Sequence, residues 1–446
     1  MAAASSKWYG AKNHPKKVAH AAPGEYAPTD KMRDFSGTPV KTADSIDPRR
    51  NLLLELFQAG LARVHGRNCV RAALTPAAPA MPVWVAAVGK AATAMALGAH
   101  DALGSAIERT LIITRESEDL SGFPRTAAPE VWLGSHPLPD ERSLAAGERL
   151  LDWVDRLPAT VLPLFLISGG ASSLVEVPAP GATLEDLAAL TRLSFTAGMP
   201  IGELNARRAA LSRIKGGRLA ARLQGRAARA LFVSDVPHDD PRVIGSGLMG
   251  PAPEGPDQVE RLVVASVDHA VAAVGERAAQ LGLSVRAAPG RFADSAERLA
   301  ARFAHELHLG ASQLAVWGGE STVELPVQPG RGGRNQHLAL AVARLIAGRA
   351  ELLLLAAGTD GSDGVTDDAG ALVDGETCAR IALAQLEADE CLARADSARA
   401  LAASGDLLHT GPTGTNVGDL VIGLKLSVQD ARHLAQRRDG DSQRML

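Results

Sequence analysis

The chain has 446 residues, which is long enough for two or three domains with hydrophobic cores of their own. Its net charge of −3 excludes a general electrostatic attraction to nucleic acid or to an anionic membrane, so any site for anions must be local. The three cysteines lack the spacing of metal ligands and fit a reducing compartment, and no apolar run reaches the roughly 18 residues of a membrane span, so we expect a cytoplasmic protein.

The first 47 residues are rich in Pro, Gly, Lys, Asp and Ser and have no apolar periodicity or secretory pattern. They predict a disordered leader over residues 1–47. The folded sequence begins with Asp47 and Pro48, a helix cap and the residue type that favours the first helical position. Strands are then predicted at 83–88, 110–114, 161–167 and 230–234, and helices at 91–103, 141–157, 184–197, 204–224, 258–281 and 295–309, with a short strand between the last two helices.

This alternation predicts an α/β fold in which a doubly wound, mainly parallel sheet carries helices on both faces. We assign it to a Rossmann-like N-terminal domain over residues 48–309. After residue 310 the pattern changes, with strands predicted at 313–317, 321–327, 352–356 and 420–424 and helices at 336–350 and 397–404. We interpret residues 310–427 as a second, smaller α/β domain and residues 428–446 as a polar tail.

Ligands of parallel sheets gather at the carboxyl ends of the strands, and the unusual residues of this chain follow predicted strands. Lys90 comes after Gly89 at the end of the first strand, where it either contacts phosphate or is a solvated helix end. The small and hydroxylated run after residue 167 is either a nest of N–H groups for an anion or a tight turn. Its candidate phosphate-binding residues are Ser168, Gly169, Gly170, Ala171, Ser172 and Ser173.

Two further loops of the first domain carry charge. Arg213 and Lys215 stand beside two glycines inside a predicted helix, at a cost of about 2 kcal/mol relative to alanine. Either a ligand approaches there or the basic face is solvated. Asp235 directly follows a buried strand, where a carboxylate suits Mg²⁺ or a base that takes a hydroxyl proton, although a Pro/Asp turn is the alternative.

The second domain offers a matching set of polar loops. One is a cationic, glycine-rich loop that enters a helix and suits carboxylate or phosphate oxygens. Another is an acidic glycine turn that follows an apolar strand, and the last is a hydroxyl-rich turn near the end of the chain. Both turns could equally be solvated loops without a ligand. The candidates are Glu320, Arg331, Arg334, Asn335, Asp360, Thr413 and Asn416, of which Glu320 and Asp360 join Asp235 as candidate metal ligands.

Together these loops supply cations, anion nests and carboxylates, which are the parts that phosphoryl transfer requires. The residues required for other common reaction types are missing from the sequence. The sequence contains no Cys/His cluster for zinc, no Gly-x-Ser-x-Gly motif and no dinucleotide fingerprint after the first strand.

The motifs also resemble a known family. The segments Val88-Gly89-Lys90-Ala91 and Ser135-His136-Pro137 and those at 168–173, 211–217 and 234–237 resemble the N-terminal domain of class II glycerate kinases. Gly319-Glu320 and the segments at 330–336, 358–361 and 410–416 resemble the C-terminal domain of the same family, called MOFRL. The resemblance runs in order from about residue 48 to 425.

The resemblance implies ATP- and Mg²⁺-dependent phosphorylation of D-glycerate, usually at its 2-hydroxyl, in a cleft between the domains. By this similarity Lys90 acts on the transferred phosphate or the substrate, and Arg331 or Arg334 acts from across the cleft. Our own hypothesis places residues 168–173 around phosphate oxygens and Asp235 beside the metal or the attacking hydroxyl. The expected partner is the small-molecule substrate, with no nucleic acid or membrane, and a homodimer is left open.

Several positions depart from the family pattern. Ala209 and Ala210 stand where Lys and His are frequent, and His238, Leu248 and His337 replace Gly, Pro and Glu. These departures leave room for a different hydroxy acid or for weakened activity. Two alternatives therefore stay open: an NAD(P)H-dependent hydroxypyruvate reductase, and a catalytically silent ligand-binding relative.

Overall fold

Two β-sheets organise the chain, one after the other in sequence. The computed structural model describes residues 47–75, 81–116, 120–124, 128–197 and 201–444. Residues 1–46, all but the last of the predicted leader, lie outside the described residues. Within the described ranges, every helix is too short or too polar to cross a membrane.

The first sheet has six parallel strands in the order β3-β2-β1-β4-β5-β6, which confirms the predicted parallel α/β fold. The strands are β1 (Val83–Val88), β2 (Ile107–Thr114), β3 (Glu130–Leu133), β4 (Leu162–Ile167), β5 (Ala228–Val233) and β6 (Val259–Ala265). All six residues of β1 are buried, and they alternate between two hydrophobic clusters, one on each face. Short Val and Ala side chains therefore let helices pack closely on both sides.

The chain up to β6 also contains eight helices within the described ranges. They are α1 (Pro48–Val64), α2 (Gly66–Leu74), α3 (Ala92–Leu103), α4 (Glu141–Asp155), α5 (Ala171–Leu174), α6 (Leu184–Ala197), α7 (Ile201–Ala210) and α8 (Arg218–Ala221). The predicted cap of α1 is present, because the Asp47 side chain accepts a hydrogen bond from the Arg49 N–H. A capping box of Asp140 and Ser143 starts α4 in the same way.

The second sheet is mixed and has seven strands, β12-β11-β10-β13-β9-β7 in order, with β8 also paired to β9. Strands β7 and β8 are parallel to β9, and the other pairs are antiparallel. The strands are β7 (Val285–Ala287), β8 (Phe292–Ser295), β9 (Leu314–Thr322), β10 (Leu352–Gly358), β11 (Gly370–Asp374), β12 (Leu407–Leu408) and β13 (Asp419–Lys425). The helices are α9 (Val267–Gln280), α10 (Ala296–Leu309), α11 (Arg334–Leu345), α12 (Thr377–Leu383), α13 (Ala388–Ala393), α14 (Ser397–Ser404) and α15 (Val428–Arg444).

Two predicted helices differ from the structure. The segment predicted as a helix over 258–281 contains β6, whose apolar residues pair with β5, and only then α9. The helix predicted over 204–224 is interrupted after Ala210, because Gly216 and Gly217 have φ angles of 61° and 80°, which a right-handed helix cannot contain.

The second sheet also takes in residues that the sequence analysis gave to the first domain. Strands β7 and β8 precede residue 310 and pair with β9. Helix α1 docks there as well, since the Arg50 guanidinium bonds Asp374 and Asp406 at 2.7 and 2.9 Å. The predicted polar tail forms α15. One hydrophobic cluster joins the two sheets through residues such as Leu53, Val85 and Leu353.

Candidate active site

The candidate site lies where loops from both sheets meet. Lys90, Gly169 and Asp235 follow β1, β4 and β5, which are neighbours in the first sheet. Asp360 follows β10, and Asn416 precedes β13, the neighbour of β10 in the second sheet. Parallel strands place their carboxyl ends at one edge, so three loops of the first sheet arrive together.

Lys90 and Asp360 form an ion pair across the two sheets. The Lys90 Nζ and the Asp360 Oδ2 are 2.8 Å apart, and both side chains are largely buried. Burial by itself would raise the pKa of Asp360, but the Lys90 ammonium and the donors of Ser362 outweigh it and lower the pKa to about 2. The backbone N–H of Lys90 donates to the Gly169 carbonyl at 2.9 Å, which fixes the lysine beside the β4 loop.

Asp235 and Asn416 make the second contact between the sheets. The Asn416 amide donates to the Asp235 Oδ2 at 3.0 Å. Both groups press on Gly169, where a Cβ would lie only 2.0 Å from the Asp235 oxygen and 2.2 Å from the Asn416 nitrogen. Burial raises the pKa of Asp235, and the Asp360 carboxylate adds to this effect while Lys90 opposes it. Residue 169 must therefore be glycine for this contact to form.

Arg334 anchors the acidic side of the site. Its guanidinium bonds Asp419 at 2.6 and 2.9 Å and Glu320 at 2.8 Å. Arg334 starts α11, and the Asp363 carboxylate accepts the next two backbone N–H groups, those of Asn335 and Gln336, at 3.1 and 2.8 Å. Burial raises the pKa of Asp363 to about 7 in spite of these bonds. The start of α11 is thereby held next to the carboxylates.

The β4 loop supplies backbone donors more than hydroxyl groups. The buried Ser168 hydroxyl accepts the Ala91 N–H at 3.0 Å, and the Ser173 hydroxyl donates to the Gly170 carbonyl at 3.2 Å. Both hydroxyl groups are thus engaged within the protein, and the prediction that they bind phosphate stays a prediction. In the part of the chain that the structure describes, no acceptor takes the N–H groups of Gly169 or Gly170. These two groups can bind an anion beside Lys90.

Lys215 does not join the site. Its ammonium is buried and forms an ion pair with Glu176, which also accepts the Ser212 hydroxyl at 2.5 Å. Both partners are at most 2% exposed. The prediction that Lys215 binds phosphate is corrected, because its charge is already neutralised inside the protein.

Other predicted residues also lie apart from the cluster or are committed to other contacts. Arg213 is on the surface, 3.7 Å from Glu148, and Arg331 has an exposed side chain while its N–H donates to Asp396. The Thr413 hydroxyl donates to the carbonyl of Thr359, and Asn335 is buried. Ala171 is buried, and Ser172 is half-buried beside the loop. None of these contacts points to a ligand, and Arg334 rather than Arg331 reaches the carboxylates.

Two residues of the candidate site were not among the site residues proposed from the sequence. Asp419 binds Arg334 and is the first residue of the apolar strand β13. The sequence predicted a strand for this segment, and its carboxylate was therefore not considered. His136 lies against Gly170 and Lys90. It follows β3, a short strand that was not predicted, so no strand end drew attention to it. The Ser-His-Pro motif was the one available signal.

The carboxylates fit a magnesium ion that arrives with a phosphate-bearing substrate. Among the residues that the structure describes, no three His, Cys, Asp or Glu side chains are grouped to hold a metal unaided. Magnesium usually takes one or two carboxylates and completes its shell with water and phosphate oxygens. The Asp360 carboxylate contributes to the raised pKa of Asp235, and a nearby cation would oppose this effect.

Comparison with known proteins agrees with this architecture. Residues 52–274 match a domain of unknown function, DUF4147, and residues 313–419 match the MOFRL family. The D-glycerate 2-kinase of Thermotoga maritima is 33% identical over 84% of this chain and 98% of its own length. A relative from Agrobacterium vitis with a provisional hydroxypyruvate reductase name is 33% identical over 83% of this chain and 93% of its own.

A solved structure supports the same relationship. The crystal structure of glycerate kinase from Thermotoga maritima matches with a TM-score of 0.76 and 32% identity, over 85% of this chain and 99% of that chain. The resemblance inferred from the sequence motifs is confirmed. This chain belongs to the family of two-domain glycerate kinases in which a DUF4147 domain is followed by a MOFRL domain.

Proposed function

We propose that this protein is a glycerate kinase that transfers the γ-phosphoryl group of ATP to D-glycerate, most simply at the 2-hydroxyl. The observation that carries the proposal is the meeting of Lys90 with Asp360 and of Asp235 with Asn416, next to two free N–H groups. A cation, a base and an anion nest thus converge from separate loops, as phosphoryl transfer requires.

Each group has a distinct task in this proposal. The Lys90 ammonium and the N–H groups of Gly169 and Gly170 bind oxygens of the transferred phosphoryl group and neutralise its charge. Asp235 accepts the proton of the substrate hydroxyl while the new O–P bond forms and the bond from the γ-phosphorus to the bridging oxygen of ATP breaks. The raised pKa of Asp235 makes it a better proton acceptor than an ordinary aspartate.

Lys90 must change partners during this reaction. It is paired with Asp360 in the described structure, and the phosphoryl oxygens compete for the same ammonium. Asp360 is then free to face a cation. Magnesium, held by Asp360 with support from Glu320, would supply charge neutralisation on the phosphate oxygens.

The acidic network behind the site keeps these groups in place. Arg334 binds both Asp419 and Glu320, and its positive charge compensates the repulsion between these two carboxylates. The Asn416 amide holds one oxygen of Asp235 and leaves the other for the substrate hydroxyl. The second sheet therefore orients the base that stands on the first sheet.

A reductase is the less favoured alternative. The strand order of the first sheet is the one found in dinucleotide-binding folds, and the Agrobacterium vitis relative carries a reductase name. However, the turn after β1 lacks the glycine fingerprint and holds Lys90, whose side chain crosses to Asp360. A pyrophosphate of NAD would meet a lysine where that fold uses glycine backbone.

Phosphorus NMR of the product tests the proposal. The purified protein with ATP, Mg²⁺ and D-glycerate should give ADP and a phosphomonoester signal that couples to one proton, as a 2-phosphate does. Coupling to two protons would show that the phosphoryl group is transferred to the 3-hydroxyl instead. Absence of any phosphomonoester, together with NADH oxidation in the presence of hydroxypyruvate, would contradict the kinase and favour the reductase.

A further inference from the structure

His136 lies beside the proposed phosphoryl site but takes no part in the mechanism above. Its ring Cδ2 lies 3.3 Å from the point that a Cβ on Gly170 would occupy, and Lys90 Cγ lies 3.2 Å from the same point. The imidazole and the lysine stem therefore border one small space in front of Gly170. A glycine at residue 170 leaves this space open.

The imidazole is half-buried and has no hydrogen-bond partner among the residues that the structure describes. A neutral imidazole carries one donor and one acceptor, and the ring nitrogens of His136 are open to solvent and so to a ligand. A ring that is held against Gly170 and Lys90 without such a partner is placed to bind a ligand.

The charges around His136 are mostly positive. Burial lowers its pKa to about 3, and Lys90, Arg115 and Arg208 contribute in the same direction, while Asp360 opposes them. Arg115 also pairs with Glu116 at 2.8 Å on the more exposed side. The ring is neutral at physiological pH, and one of its nitrogens can donate a hydrogen bond to an anion.

The site is thus divided by charge. Gly169 faces Asp235 and Asn416, whereas Gly170 faces Lys90 and His136. In a 2-hydroxy acid the reacting hydroxyl and the carboxylate are on adjacent carbons. When the hydroxyl lies at Asp235, the other carboxylates repel the substrate carboxylate, whereas Gly170, the neighbour of Gly169, faces His136.

We propose that His136 binds the carboxylate of the hydroxy-acid substrate, in a subsite in front of Gly170 that Lys90 also borders. This subsite rests on the proposed kinase function and deepens it, because it explains how an acid is selected over an uncharged polyol. His136 donates a ring N–H to one carboxylate oxygen, so it is a specificity-determining residue and not the base.

Steady-state kinetics of His136→Ala and His136→Asn test the assignment. Loss of a hydrogen bond to a charged group should raise the KM for D-glycerate roughly 10- to 100-fold, with the KM for ATP unchanged within about twofold. His136→Asn retains a donor and should recover part of the loss. His305→Ala, at an exposed histidine of α10, is the matched control and should leave both constants unchanged.

A binding measurement separates this subsite from a phosphate site and guards against a folding defect. Imidazole NMR signals of the wild type are followed with ADP and Mg²⁺ present while D-glycerate or glycerol is added. The His136 signal should shift saturably with D-glycerate and not with glycerol. A shift caused by ADP alone, or an equal rise of both KM values in His136→Ala, would overturn the proposal.

The two proposals fail in different ways. If the wild type forms phosphoglycerate and His136→Ala keeps a normal KM for D-glycerate, the subsite is wrong and the kinase stands. If the wild type forms no phosphoglycerate but the His136 signal shifts with D-glycerate, the carboxylate subsite stands and the kinase is wrong.

Discussion

Gly169→Ala is the sharpest perturbation of the proposed site, because it adds one methyl group at its centre. Gly169 does not have a positive φ, so alanine brings no backbone strain. The new Cβ would lie 2.0 Å from the Asp235 Oδ2 and 2.2 Å from the Asn416 Nδ2, and no backbone atom is among these nearest contacts. The clash therefore falls on the base and its amide partner.

The size of the effect follows from these distances. The Asp235 carboxylate has to move by about 1 Å to relieve the overlap, and its 3.0 Å bond to Asn416 is lost or re-aimed. A displacement of about 1 Å at a reacting group can cost about 10²-fold in rate. We expect kcat to fall about 100-fold or more, with a modest change in the free energy of unfolding.

A coupled assay of ADP release with D-glycerate measures kcat, and thermal unfolding checks the fold. Gly275→Ala is the matched control, since this glycine lies inside α9 and a Cβ there meets only Val285 at 3.8 Å. It should keep full activity and gain about 0.5–1 kcal/mol of stability. A Gly169→Ala enzyme that retains more than a third of the wild-type kcat would refute the placement of Asp235.

Three further predictions concern charges. Lys90→Ala should lower kcat about 10²–10³-fold in the ADP-release assay, because one preorganised cation is lost, and near-normal turnover would exclude Lys90 from the site. Lys215→Met leaves the buried Glu176 carboxylate unpaired and should lower the free energy of unfolding, measured with urea, by about 3–5 kcal/mol. If Lys215 were solvated, the same substitution would leave this free energy nearly unchanged. Burial lowers the pKa of His65 to about 4, so between pH 6.5 and 4 the unfolded chain binds a proton that the folded chain does not. Stability should therefore fall as the pH falls through this window, by up to about 1.4 kcal/mol per pH unit, and His65→Asn should flatten the slope measured by urea unfolding at several pH values.

Much of the candidate site could be predicted because the local sequence marks the ends of strands. Glycine or polar residues follow the apolar runs of β1, β4, β5 and β10, and the fold brings those ends together. Lys90, Gly169, Asp235 and Asp360 were found in this way. The contacts between the sheets, such as Lys90 with Asp360, join residues far apart in sequence and needed the structure.

Other features depend on long-range packing that periodicity does not encode. The partner of Lys215 is Glu176, 39 residues earlier, and the glycine pair beside Lys215 marked a turn and not a ligand contact. The apolar runs of the second sheet predicted strands but not their antiparallel pairing. Likewise, the docking of α1 on the second sheet rests on Arg50 and its two distant carboxylates.

A crystal structure with D-glycerate, Mg²⁺ and a non-hydrolysable ATP analogue tests the central claim most directly. We predict that the γ-phosphoryl group contacts the Lys90 ammonium and the N–H groups of Gly169 and Gly170, with the substrate hydroxyl against Asp235. A nucleotide whose γ-phosphoryl group lies away from Lys90, or a substrate hydroxyl out of hydrogen-bond reach of Asp235, would contradict the account.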